Sequence, residues 1–195
     1  MLAAGAGERF GPAPKMLALL RGKPLVAHAL DTVRAARERG IVTGGFVVHQ
    51  AGDRPVADLA RAHGLEPLAC EEWGGGLSQS LRHGVAALGG DDAAALILLG
   101  DQPLVTVAAI ETVIAVGSPH PEHALVRSRY HDAWTTPSHP VLIGRSFWPF
   151  VLDLTGDHGF GPAAQAAGLH WTEAGHPGKN PDVDTIEDLM NLEKE

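Results

Sequence analysis

The chain opens with a short apolar run, Leu2-Ala3-Ala4, that gives way at once to Gly5, Gly7 and Gly11, with Arg9 and Lys15 set around them. A buried strand that empties into glycines at this density constrains the fold more than any other stretch. It must bring bare backbone close to something bulky. The glycines remove side chains that would hold an anion at a distance, backbone N–H groups are left to donate, and Arg9 and Lys15 supply positive charge. The loop therefore suits a polyphosphate; a turn carrying two solvated cations is the plainer alternative. Two commoner glycine signatures do not fit. A P-loop counted from Gly5 needs glycine at position 10, which is Phe10, and Lys15 follows Pro14 instead of a glycine. A dinucleotide fingerprint needs its third glycine one residue before Gly11, and a proline-rich stretch stands where its helix should start, which argues against hydride chemistry.

Downstream, two periodicities alternate. Pro24 opens a helix whose Val26, Ala29, Leu30 and Val33 share one face, and Gly40 closes it. Phe46-Val47-Val48 reads as a buried strand, Pro55 to His63 as a helix and Glu66 to Ala69 as another strand. Leu81, Val85 and Leu88 mark a helix after Gly74-Gly75-Gly76, and the nearly continuous apolar run from Ala94 to Leu99 suits a strand covered on both faces. This order predicts an α/β fold with a mostly parallel sheet between helices. Beyond a helix from Val107 to Val116 the pattern breaks at Pro119, Pro121, Pro137 and Pro140, and three of the four tryptophans follow that break or lie within it. We read about 118–170 as an irregular insertion over the sheet, its strands near 124–126 and 140–143 forming a flap, with small helices near 147–154 and 162–167. Thr185 and Asp188 give the last helix a capping-box-like start.

Composition narrows the function. At 195 residues the chain fits a single domain, 1–195, and no stretch approaches the ~20 unbroken apolar residues of a membrane span. There is no basic leader, and Cys70 is the only cysteine, so no internal disulfide forms and a cytoplasmic address is expected. Only Met1 to Ala4 precede the glycine loop, short of the roughly five or six residues usual for a strand, so further residues upstream are expected. A net charge of −8 argues against nonspecific nucleic-acid binding. The eleven histidines are scattered without a tetrahedral ligand set, so zinc is not expected.

In an open parallel sheet, ligands bind beyond the carboxyl ends of the strands, and both the glycine loop and Asp101 stand at such ends. A carboxylate there, beside bound phosphates, suits Mg2+. Asp182-Val183-Asp184 offers a second carboxylate, or merely complements the dipole of the capped helix.

Leu2-Ala3-Ala4-Gly5-Ala6-Gly7 through Arg9-Phe10-Gly11 and Pro14-Lys15, then Gly22-Lys23-Pro24-Leu25-Val26, Gly76-Leu77-Ser78-Gln79-Ser80-Leu81-Arg82, Leu99-Gly100-Asp101-Gln102-Pro103, His139-Pro140-Val141-Leu142 and Asn180-Pro181-Asp182-Val183-Asp184-Thr185 occur in one order over nearly the whole chain. This series resembles the MobA-like nucleotidyltransferases, and within them the molybdenum cofactor cytidylyltransferases. The resemblance implies a Rossmann-like, glycosyltransferase-A-type αβα fold, dependence on Mg2+, and transfer of a nucleoside monophosphate from NTP to a phosphorylated acceptor such as molybdopterin. It makes Leu2, Ala3, Ala4 and Gly5 binders of the base, Gly7, Arg9 and Lys15 binders of the triphosphate, and Ser78 and Ser80 linings of the nucleotide pocket. Ser78 also suits a helix cap. Asp101 and Asp184 become the metal ligands, with Asp182 nearby. Asp101, Lys15 and Arg9 carry the chemistry, and His139 and Asp157 approach the acceptor. A methyl at Ala4, where the guanylyl branch tends to have glycine, would crowd a purine and favour CTP. The branch commonly has two arginines in a Gly-Asp-Arg-Gly-Ala-Arg-like segment, whereas here Gly156-Asp157-His158-Gly159-Phe160-Gly161 has none. That departure leaves the acceptor open, with a sugar phosphate or other phosphorylated metabolite as the alternative and a target molybdoenzyme as an open further partner. A nucleotide-binding accessory protein without turnover is the rival of another class.

Overall fold

The computed structural model describes all residues except 73, 75, 134–137 and 157–158. Along the chain stand β1 (Leu19–Leu20), β2 (Lys23–Pro24), α1 (Leu25–Glu38), β3 (Phe46–Gln50), α2 (Arg54–Ala62), β4 (Glu66–Cys70), α3 (Leu77–Ala86), β5 (Ala94–Ile97) and α4 (Val107–Gly117). The second half adds β6 (Leu125–Tyr130), β7 (Ser138–Gly144), α5 (Trp148–Leu152), α6 (Phe160–Ala166), β8 (Thr172–His176) and α7 (Ile186–Glu193). The sheet is continuous because residues 1–3 join its halves. Ala3 N donates to Val48 O at 2.8 Å, Leu2 N to Leu98 O at 2.8 Å, and Gly100 N to Leu2 O at 2.8 Å. On one side β3 pairs in parallel with β4; on the other β5 pairs antiparallel with β7, β7 antiparallel with β6, and β6 parallel with β8. The result is a Rossmann-like α/β fold with a mixed sheet, parallel except around β7.

Alternation along the strands sorts two cores. Val48, Cys70, Ala95, Ile97, Leu125 and Ile143 pack with Leu81 and Val85 of α3, Val151 of α5 and Phe160 and Ala164 of α6. Their neighbours Val47 and Leu98 pack under α1, α2 and α4, and Val126, Leu142 and Ala174 pack against Val113 of α4. This sorting corrects the flap expected within 118–170. Strands β6 and β7 extend the sheet instead of lying over it, because each presents apolar residues on both faces and a flap would leave one of them in water. The capping box at Thr185 and Asp188 forms as expected.

Close packing at the sheet's centre sets up the site. A Cβ on Gly100 would lie 3.1 Å from Ala3 Cβ and 3.2 Å from Met16 Sδ, so only glycine lets the end of the β5 run sit this tightly against residues 1–3. Beside Met1 and Leu2 lies a mainly apolar open pocket of about 680 Å³, lined also by Val33, Ile41, Phe46, Leu96 and Ile110. The Met1 ammonium donates to Phe46 O at 2.7 Å, and burial pulls its pKa down to about 5. Among the described residues no helix is long and apolar enough to cross a membrane.

Candidate active site

Asp101 follows Gly100 at the carboxyl end of a central strand. Val183 N donates to Asp101 O at 3.0 Å, which draws the 182–184 segment alongside. Val183 is wholly buried with Phe10, Leu20, Leu25 and Leu192, and this anchor holds the acidic residues on either side of it near Asp101. Asp184 joins this cluster as well as preceding the helix. Its carboxylate meets Lys15 Nζ at 3.3 Å and Arg9 at 2.9 Å, while its backbone N–H donates to Asp188. Lys15 Nζ also donates to Asp101 Oδ2 at 2.6 Å. Gly7 makes room for the lysine: its φ of +65° suits glycine, and a Cβ there would lie 3.3 Å from Lys15 Cβ. The two cations differ in setting, for the Lys15 side chain is 8% exposed and that of Arg9 74%.

Asp182 lies beside this cluster. Burial raises its carboxyl pKa and the charge of Asp101 adds to the rise, against a hydrogen bond from Gln102 Nε2 at 2.7 Å. Gln102 Nε2 also reaches Ser138 Oγ at 3.3 Å, and Asn180 Nδ2 donates to both Gln102 Oε1 at 3.0 Å and His139 O at 3.1 Å. Gln102 and Asn180 are thus a buried joint between the acidic cluster and β7. Neither was singled out by sequence reasoning, although both fall inside quoted motifs. An amide beside a carboxylate in sequence does not reveal which way it turns.

Of the four residues assigned to the base, Leu2, Ala3 and Ala4 are buried and Gly5 is exposed. The Ala4 methyl packs in the α3-side core, so the expected crowding of a purine by that methyl has no exposed group to act through. Gly5 O accepts from Gln50 Nε2 at 2.9 Å, and Cβ atoms built on Gly5 or Gly11 would meet nothing within 4 Å, so space lies open around the loop. Ser78 and Ser80 are buried. Ser78 does not cap α3, whose N-cap is Gly76; its hydroxyl donates to Gly156 O and ties the 156 loop to the helix. Asp157 lies outside the described residues.

His139 lines a second cavity of about 150 Å³ with Arg127, Ser138, Phe160 and Trp171. Burial pulls its imidazole pKa down to about 4, which leaves it neutral at physiological pH. Its carbonyl is fixed by Tyr130 OH at 3.1 Å as well as by Asn180. The Arg127 guanidinium lies 5.7 Å over the Trp171 ring, and Arg127 and Arg129 both pair with Glu173. Sequence reasoning missed Arg127, because only the pairing of β6 with its neighbours turns it towards this cavity.

The MobA-like NTP transferase domain matches residues 1–170. The chain belongs to that family. A curated relative, the nicotine blue oxidoreductase of Paenarthrobacter nicotinovorans, is 29% identical over 98% of this chain and 94% of its own. The bifunctional protein GlmU of Methylobacillus flagellatus is 38% identical over 54% of this chain but 22% of its own, and the chain spans about a quarter of the length of such GlmU relatives. Among solved structures, Rv0371c of Mycobacterium tuberculosis superposes with a TM-score of 0.80 at 27% identity, covering 100% of this chain and 95% of that one. A manganese complex of the same protein gives a TM-score of 0.79 at 25% identity over 99% and 95% of the two chains.

The donor set fits a hard dication. Among the described residues no three His, Cys, Asp or Glu side chains form a self-contained metal cage. Two carboxylates converging on one ammonium instead match an ion such as Mg2+, which takes one or two carboxylates and fills its shell with phosphate oxygens and water.

Proposed function

We propose that the chain transfers a nucleoside monophosphate from a nucleoside triphosphate to a phosphorylated small-molecule acceptor and releases pyrophosphate. One observation carries this reading: Arg9 and Lys15, Asp101 and Asp184, from three distant stretches of chain, meet beside the glycine loop at the carboxyl edge of the sheet. Arg9 and Lys15 hold the triphosphate, and the open backbone at Gly5 and Gly11 admits it. An ionised oxygen of the acceptor phosphate bonds to the α-phosphorus as the bond from that phosphorus to its bridging oxygen breaks. Pyrophosphate departs with the electron pair, its charge matched by the two cations. Asp101 and Asp184 would hold Mg2+, which when bound neutralises charge on the triphosphate. The manganese in the Rv0371c complex supports a divalent ion here. A terminal phosphate is already ionised at neutral pH, so positioning matters more than a general base.

CTP is the preferred donor on the resemblance at Leu2 to Gly5; because the Ala4 methyl is buried, we attribute that preference to other parts of the pocket. The cavity at His139 and Arg127 is the acceptor's place, joined to the acidic cluster through Ser138 and Gln102. Molybdopterin is the first acceptor to try. A sugar phosphate is the second, favoured by the absence of arginine from 156–161. Pyrophosphate release from each of the four NTPs, with molybdopterin and with sugar 1-phosphates, tests the reading. We expect release with CTP fastest and dependent on both acceptor and divalent metal. Release with no NTP and acceptor pair overturns transfer, and a clear GTP preference overturns the cytidylyl assignment alone.

A further inference from the structure

Lys15 stands where the metal of the proposed reaction would stand. Its ammonium bridges Asp101 Oδ2 at 2.6 Å and Asp184 Oδ1 at 3.3 Å from a side chain that is 8% exposed. A dication bound at ~2.1 Å from oxygens of the same two carboxylates would overlap that ammonium, so the two cations exclude each other. The charges point the same way. Lys15 and Arg9 already pair with Asp101 and Asp184, with Asp182 and Asp188 close by, so a free dication has to displace a resident cation to reach those two carboxylates. A triphosphate arriving with the metal brings negative charge of its own and offers the ammonium new oxygens. The lysine has a short path to them, because its stem lies against Gly7, where no side chain stands in the way.

We propose that Lys15 is the resident counter-ion of the Asp101 and Asp184 site, keeping it closed to free divalent metal until the phosphates of a nucleotide draw the ammonium away. The lysine thereby has two successive partners, the carboxylates in the nucleotide-free protein and the triphosphate in the loaded one, and metal enters with nucleotide. The inference rests on the metal-dependent reading above and goes beyond it in assigning the order of binding.

The test measures Mn2+ affinity in the nucleotide-free protein by electron paramagnetic resonance, for the parent, Lys15→Met and Lys15→Arg. Lys15→Met should bind Mn2+ at least about tenfold more tightly than the parent, equivalent to ~1.4 kcal/mol, while Lys15→Arg stays close to the parent. With α,β-methylene-CTP added, the parent should also bind Mn2+ tightly. Equal affinities of the parent and Lys15→Met for Mn2+ alone, with tight binding of both in the presence of the analogue, overturn the resident role and leave the metal site standing. No Mn2+ binding by any form even with the analogue overturns the metal reading as well. A second measurement needs no variant. The chain has four lysines, and Lys15 is the buried one, so its side-chain nitrogen can be followed by NMR in the parent protein. The signal should hold still when Mg2+ is added alone and move when the analogue follows. Movement on Mg2+ alone overturns the proposal.

Discussion

The two ends of the site are built on opposite principles. The proposed nucleotide end is made of strand termini and loops, and its charges are paired with one another: Lys15 and Arg9 against Asp101 and Asp184. The proposed acceptor end lies on the sheet itself, where β6 and β7 present Arg127, Val141 and Ile143 beside Phe160 and Trp171 around a largely apolar cavity. On the proposed reading, charge at the first end is exchanged for a ligand's charge. At the second, shape and one arginine stacked on an indole are fixed by packing. A substitution at the nucleotide end should therefore damage turnover with little harm to the fold, whereas one at the acceptor end should act on affinity and stability.

The largest expected effect is at Asp101. Asp101→Asn keeps the shape and removes the charge, so kcat should fall by at least about two orders of magnitude, the scale of losing a principal electrostatic stabiliser, with Tm nearly unchanged. Parent-like turnover would mean that the paired charges are structural only, and the contrast between the two ends would collapse. Arg127→Gln comes next. Losing a charge-assisted hydrogen bond of ~1.5 to 3 kcal/mol should raise KM for the acceptor about tenfold or more, while kcat and KM for the nucleotide change little. If kcat falls and KM holds, Arg127 belongs to the chemistry and the division drawn here is misplaced.

The smallest effect concerns His139 and reads stability instead of rate. Burial pulls its pKa to about 4 in the folded chain, below the ordinary 6.5 of a histidine, so below pH 6.5 the unfolded chain takes up a proton that the folded chain refuses. Its contribution is therefore fully present above pH 6.5 and is lost as pH falls towards 4. His139→Asn should flatten part of the fall in Tm across that window, measured by calorimetry from pH 7 to 4. An unchanged slope would place the pH sensitivity elsewhere, with buried His176, whose pKa burial also lowers, as the next residue to examine.

Much of the nucleotide end is legible before folding, because its parts are local. A glycine loop after an apolar run, an aspartate closing another, and a capped helix behind an acidic pair are each short patterns whose chemistry follows from residue type and spacing. The acceptor end was misread as a flap, since prolines at 119, 121, 137 and 140 suggest irregularity while the two-faced apolar pattern of β6 and β7 shows its purpose only when helices cover both sides. Ser78 illustrates the same limit: a serine near a helix start reads as a cap, but its hydroxyl finds a carbonyl 78 residues away.

By itself the sequence determined the α/β alternation, the place of the glycine loop and that of Asp101 at the end of an apolar run, since those depend on periodicities and turns within a few residues. Tertiary structure alone decided that Lys15 sits between the aspartates, that Ala4 turns its methyl into the core, and that Gln102 and Asn180 join the acidic cluster to β7. Each of these is a contact between distant segments, and a side chain's partner there is set by which strands lie side by side and which face of each is buried.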